Sequence, residues 1–206
     1  MRRALAKHHF HVMGVDDGSF DRRDAWAPLA AVLMAVPSRV EALRLGRVRV
    51  DGEGAAESIA TLVRATGGLD SARALLLDGA VVGGFNVVDL DQLTDDLGIP
   101  VVAVTHHPPD FRAIHAALRK WFPRDADRRW RRLRQHRLFR LPGVPVWIAA
   151  AGCGRFEAAG LVRRTIVEGH TPEPVRLAHL VASAAGRPDR RIKDGPQRPT
   201  ARGPVA

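Results

Sequence analysis

Apolar positions along this chain change period once, near residue 53, and the change separates two kinds of element. Before it, "FHVMGVDD" (10 to 17), "LAAVLMAV" (29 to 36) and "EALRLGRVRV" (41 to 50) are apolar-rich runs divided by turn material, "GSFDRRDAWAP" and "PSR". They read as three strands joined in a meander. In the third run Ala42, Leu43, Leu45, Val48 and Val50 are mixed with Arg44 and Arg47, as in a half-exposed strand. From residue 53 the spacing lengthens. "EGAAESIATLVRATGG" repeats Ile59, Leu62 and Val63 and stops at Gly67 and Gly68, which predicts a helix. "ARALLLD" (72 to 78) is a continuous apolar run, the pattern of a strand covered on both faces. Helix is then predicted over 86 to 98, with Asn86 as N-cap and Gly98 as stop. Strand follows over 99 to 105, helix over 109 to 122, strand over 144 to 151, and helices over 155 to 169 and 172 to 186.

Three meandering strands followed by alternating helix and strand predict an α/β mixed sheet with helices on both faces, the order of the ribonuclease H-like fold. A length of 206 residues suits one domain, expected over 1 to 186. The last twenty residues hold six basic and two acidic groups, four prolines and almost no large apolar side chain. Burial there cannot offset the entropy of ordering, so a disordered basic tail is expected over 187 to 206.

Charge and cysteine use narrow the function classes. The net charge of +10 favours an anionic partner such as nucleic acid, because Lys and Arg release counterions from phosphates. Only three of the 32 basic residues are Lys, however, and an Arg-rich bias also follows from GC-rich coding, so charge alone does not decide. One cysteine, Cys153, excludes an internal disulfide framework and a multi-cysteine zinc site and fits a reducing cytoplasm. No apolar run reaches the roughly 18 residues of a membrane span. Lys7, His8, His9 and His11 interrupt what would have to be the apolar core of a signal peptide. A monomer or weak dimer is expected.

Two predicted strands end in acid: "GVDDG" supplies Asp16 and Asp17, and "LLLDGA" supplies Asp78. The topology makes these strands central neighbours, so their tips approach. Gathered carboxylates repel unless a divalent cation lies between them, and hard cations such as Mg²⁺ take oxygen ligands of this kind. A third acid, Glu57, begins the helix between the two strands. Asp-Gly pairs are also ordinary turn chemistry, and helix starts favour acids. Gly79, Gly83 and Gly84 follow Asp78 and would let backbone approach a base or close a tight connection. In "EGHTPEPVRLAHLVA" Arg176 and His179 share one helical face. The segment 118 to 140 holds ten basic residues against two acids, interleaved with Trp121, Phe122, Trp130 and Phe139. That mixture suits a phosphate backbone and unpaired bases, with Arg128, Arg131 and Arg132 as the candidate contacts, while Trp121, Phe122 and Leu133 are expected to anchor helices. His9 and His11 alternate on a strand face with no carboxylate partner in view.

Taken together, "GVDDGSF", Glu57, "LLLDGAVVGGFNVVDL", "IPVVAVTHHPPD" and "TPEPVRLAHLVA" resemble endonuclease V and, more closely, its sister family endonuclease dU, over about residues 10 to 186. The resemblance implies a ribonuclease H-like nuclease that uses Mg²⁺, with Mn²⁺ as a substitute, to cut a strand near a deaminated base. For the sister family the implied base is deoxyuridine, and the implied partner is damaged DNA, duplex or single-stranded. It also implies that Asp16, Asp78 and Glu57 are the metal ligands, that His179 is the active-site histidine, and that Gly79, Gly83 and Gly84 wall a flipped base. Endonuclease V carries a lysine after the strand matching "IPVVAV"; this chain has His106 there, the candidate phosphate contact, and Arg176 is a further one. The proline-and-tyrosine wedge of endonuclease V has no counterpart in "RVRVDGEGAA", and the upstream Asp of the sister family is replaced before Glu57. A non-catalytic nucleic-acid-binding module on the same fold is the alternative class; it needs none of the matched acids. A small-molecule-binding α/β protein lacks a GxGxxG fingerprint here and leaves the basic segment unexplained.

Overall fold

The structure is a computed structural model that describes residues 10 to 186. His8, His9 and the expected tail over 187 to 206 lie outside the described residues. A seven-stranded mixed sheet in the order β3-β2-β1-β4-β7-β9-β8 forms the centre. Strands β1 (His11–Asp17), β2 (Trp26–Ala35) and β3 (Arg39–Arg49) make the antiparallel meander. Strand β4 (Ala72–Asp78) joins parallel to β1, and β7 (Val101–Thr105) parallel to β4. Strand β9 (Trp147–Ala151) runs antiparallel to β7, and the short β8 (Phe139–Arg140) covers its outer edge.

Period-two alternation sorts the apolar side chains of these strands into two cores. Met13, Val15, Leu75 and Leu77 face α1 (Ala55–Arg64) and α2 (Leu90–Leu97), which contribute Ile59, Val63, Leu90 and Leu93. Val12, Leu76, Val102 and Ile148 face the opposite way, toward Leu161 and Val162 of α5 (Arg155–Thr165) and Val175 of α6 (Glu173–Gly186). Helices cover both faces, as the ribonuclease H-like order predicts. Further out, α3 (Phe111–Trp121) and α4 (Ala126–Arg134) meet through an edge-on contact of Phe111 and Trp130.

Helix α6 crosses β1 at very short range. A Cβ on Gly14 would fall 2.2 Å from the Pro174 carbonyl carbon, and one on Gly18 2.2 Å from that of Ala182. Glycine at these two places lets the helix backbone lie directly on the strand, and this closeness places the helix's side chains at the strand tip.

Three expectations are corrected. Asn86 does not cap a helix: it belongs to the two-residue β6 (Asn86–Val87), paired with β5 (Val81–Val82), and the cap of α2 is Asp89, whose Oδ1 accepts from Gln92 N–H at 3.1 Å. The four residues 86 to 89 close a hairpin before the helix begins. Trp121 does not anchor α3, being 62% exposed; the fully buried Leu118 does. His11 has a carboxylate partner after all, Glu41 on β3, with Nε2 2.7 Å from Oε2.

Candidate active site at the tips of the central strands

The parallel register of β1 and β4 pairs Val15 with Leu77, so the next residues up, Asp16 and Asp78, stand side by side at the ends of adjacent strands. Both share the parity of Val12 and Leu76 and therefore lie on the face covered by α6. Asp16 is 2% exposed. Its Oδ2 lies 2.8 Å from His179 Nδ1 on α6, and its Oδ1 accepts the Asp17 N–H at 2.8 Å. Burial, then the neighbouring charges of Asp78 and Asp17, push the Asp16 pKa up to about 9. Burial also raises Asp78, against the opposing pull of His106 and His179. His106 itself meets the Thr171 hydroxyl, Nε2 to Oγ1 at 3.0 Å. Asp16, Asp78, His106 and His179 are thus brought together at one sheet end, and Thr171 and Ser183 join them. Ser183 Oγ lies 3.5 Å from His179 Nε2. Neither hydroxyl carries a distinguishing signal in the sequence, because each is placed by the packing of the segment from 171 to 186.

Asp17 points the other way, as its opposite parity requires, and accepts the N–H of Gly83. Burial raises its pKa, against that hydrogen bond. Gly83 and Gly84 are the turn of the β5–β6 hairpin. Gly83 has φ of 54°, and a Cβ there would sit 2.7 Å from Val48 Cγ1, so only glycine fits. Gly84 lies against Asp51, whose Oδ1 accepts from Phe85 N–H at 2.8 Å. The hairpin is locked to the rest of the chain by Arg129, 7% exposed. Its guanidinium donates to Phe85 O at 2.6 Å, Gly52 O at 2.9 Å, Asp51 O at 3.1 Å and Asp125 Oδ2 at 2.7 Å. Arg129 looks like any member of its basic run, so nothing in the sequence singles it out.

Glu57 stands apart from the aspartates. It sits in the first turn of α1, where Oε1 accepts from Gln92 Nε2 at 2.6 Å, and that bond holds its carboxyl below the usual range. Among the candidate phosphate contacts, Arg128 is paired with Glu53 and lies 3.4 Å from Asp125, Arg132 lies 3.5 Å from Asp89, and Arg176 is doubly bonded to Glu173. Arg131 turns its Nε to the Asp127 carbonyl at 3.3 Å. A cavity of about 230 Å³ opens beside the strand tips, lined by Gly79, Val81, Thr105, Phe111, Leu133 and His136 among others. Of the three glycines expected to wall a base, Gly79 lines it, while Gly83 and Gly84 serve the hairpin.

Among the described residues no three His, Cys, Asp or Glu side chains converge as a metal cage. Two hard carboxylates on one face, with like charge and burial working against their ionisation, nevertheless suit a Mg²⁺-sized cation, which is commonly held by one or two carboxylates and completes its shell with water and phosphate oxygens. No helix among the described residues is long and apolar enough to cross a membrane.

Known proteins resemble this chain in sequence and in fold. A UPF0215 protein of Thermococcus gammatolerans is 38% identical over 183 residues, covering 86% of this chain and 93% of its own. Another from Methanosarcina barkeri is 32% identical over 180 residues, covering 86% and 91%. Among solved structures, a protein of unknown function from Archaeoglobus fulgidus superposes with a TM-score of 0.78 at 29% identity, over 85% of this chain and 98% of that one. Endonuclease V of Ciona intestinalis, in complex with a 23mer DNA containing an inosine, superposes with a TM-score of 0.56 at 14% identity, over 86% and 85%, and shares the fold. The family described as Endonuclease dU matches residues 8–186, and the chain belongs to that family.

Proposed function

We propose that this chain is a divalent-metal-dependent endonuclease that nicks DNA at or near a deaminated base, deoxyuridine, as a step in DNA repair. The observation that carries the reading is the side-by-side placement of Asp16 and Asp78 at adjacent strand tips, with His179 seated on Asp16. Membership of the Endonuclease dU family and a fold shared with a DNA-bound endonuclease V support it. Asp16 and Asp78 would hold the cation, Mg²⁺ or Mn²⁺, with Glu57, bonded to Gln92, as a further ligand directly or through water. Bound there, the ion supplies Lewis-acid stabilisation of the phosphodiester and a more acidic water. With Nδ1 committed to Asp16, His179 keeps Nε2, beside Ser183, as the atom that exchanges a proton or meets the phosphate. His106, steadied by Thr171, contacts the phosphate from the Asp78 side. The cavity behind Gly79 receives the extruded base between apolar walls, with the Thr105 hydroxyl and His136 as its polar readers; extrusion is cheapest at a damaged pair.

The test incubates duplexes containing deoxyuridine, deoxyinosine or normal bases only with the protein and Mg²⁺, beside Asp78→Asn. Nicking of the deoxyuridine duplex ahead of the other two, and its loss in the variant, is the expected result. DNA binding without metal-dependent nicking of any duplex would overturn the reading and favour a non-catalytic module.

A further inference from the structure

The ten basic residues of segment 118 to 140 are not equivalent once folded. Arg119, Arg128, Arg129 and Arg132 each lie within ion-pair reach of an aspartate or glutamate. Among the described residues Lys120, Arg124, Arg131, Arg134, Arg137 and Arg140 have no such partner, and of these Arg137 and Arg140 share one groove. Together with Arg155, at the start of α5, they line an open groove of about 520 Å³ with Phe139, Ala150 and Cys153. The guanidiniums of Arg140 and Arg155 rest over aromatic rings, 5.8 Å from the centroid of Trp147 and 4.8 Å from that of Phe139. Rings rather than acids hold them, so their charge stays available. Glu157, whose charge reaches Cys153 in the groove, is turned to the cap of α5, where its Oε2 accepts the Gly154 N–H at 3.2 Å. Phe156, next to Arg155, is 88% exposed.

The groove follows the outer edge of the sheet. Arg140 pairs with Trp147, which pairs with Thr105, so its upper end is level with the tip of β7 and with the candidate active site. Three strand spacings separate β8 from β4, about 15 Å, the reach of a few nucleotides. Three cations strung along an open groove, with no enclosed cradle, match a chain of phosphates better than one small anion. An exposed ring beside them matches an unpaired base.

We propose that the groove of Arg137, Arg140 and Arg155 is a second DNA-contact surface, which holds backbone phosphates flanking the cut site while Phe156 stacks on an unpaired base. The choice of DNA rests on the nuclease reading; the surface and its charge do not. The experiment measures binding of a fluorescein-labelled duplex of normal sequence with a single-stranded extension, in EDTA, over a range of salt. The substitution R137A/R140A/R155A is expected to weaken binding at least tenfold at low salt and to lower the slope of log affinity against log salt by about 3. R39A/R44A/R73A, which removes equal charge from the far edge of the sheet and the opposite end of β4, leaves that slope in place. Cys153, the chain's single cysteine, provides a footprint: saturating DNA slows its modification by a maleimide several-fold. Equal slopes in the two triple variants, an unprotected Cys153, or no DNA binding by the unaltered protein would each overturn the proposal. A protein that nicks DNA but fails these tests keeps its nuclease reading and loses the groove. One that passes them without nicking does the reverse.

Discussion

A carboxylic acid held 2% exposed beside two others is the sharpest chemical statement the molecule makes. Asp16, Asp17 and Asp78 all have raised pKa values, so above about pH 4 the folded protein retains protons that the unfolded chain has released, that of Asp16 up to about pH 9. The stability these protons contribute in the absence of metal is therefore present in full below about pH 4 and is lost as pH rises, the Asp16 share toward pH 9. In Asp16→Asn one of these protons is removed from the balance, and its stability is expected to fall less steeply, by up to about 1.4 kcal/mol per pH unit. Urea unfolding of both proteins in EDTA at several pH values checks this, and parallel curves would contradict it. Asp16 and Asp78 were legible because each stands where a strand ends, whereas His179, in the middle of α6, was reached only through the family resemblance. The other half of the site was not. Which way Asp17 faces depends on a parity that is set only once β1 is placed, and Glu57 is drawn to Gln92 by the packing of α1 on α2.

At the scale of elements, the contact of α6 with β1 carries His179 to Asp16, and Gly14 permits it. Gly14→Ala places a methyl group into the Pro174 backbone, which must shift. Overpacking of this kind costs about 1–3 kcal/mol, and the moved helix withdraws His179, so nicking should fall more than stability does. Denaturant unfolding and single-turnover nicking of the same variant separate the two effects; loss of stability with unchanged nicking would detach α6 from the site. Arg129→Met tests the other brace. It leaves carbonyls of Asp51, Gly52 and Phe85 without their donor and should cost several kcal/mol, whereas Arg131→Met, on the exposed face, should cost less than about 0.5 kcal/mol. The strands β1, β4, β7 and β9 and the helices α1, α3, α5 and α6 follow the apolar periods of the sequence closely. Helix α4 does not, since its inward face is built from Ala126, Arg129 and Trp130, and a buried arginine breaks the pattern that periodicity detects. The β5–β6 hairpin is likewise hidden, because two-residue strands are too short to show a period.

For the whole molecule, the sheet gathers chemistry at one end and spreads charge along one side. The aspartates and His106 lie at the tips of β1, β4 and β7, with His179 brought to them by α6, the cavity opens behind Gly79, and arginines without an ion-paired acid among the described residues line the β8 edge. Under the proposed function this layout would assign cutting, base reading and strand holding to three adjoining places, and the net charge of +10 would draw DNA toward all of them. The proposal that Asp16 and Asp78 form a metal-dependent nuclease centre stands or falls on Mg²⁺-dependent nicking. Its most direct measurement is the single-turnover rate of nicking of a deoxyuridine-containing duplex as Mg²⁺ is titrated, in the unaltered protein and in Asp78→Asn. The expected rate is zero in EDTA, rises to saturation with Mg²⁺, and falls at least about a hundredfold in the variant at every concentration. Equal rates in the two proteins, or nicking that persists in EDTA, would contradict it.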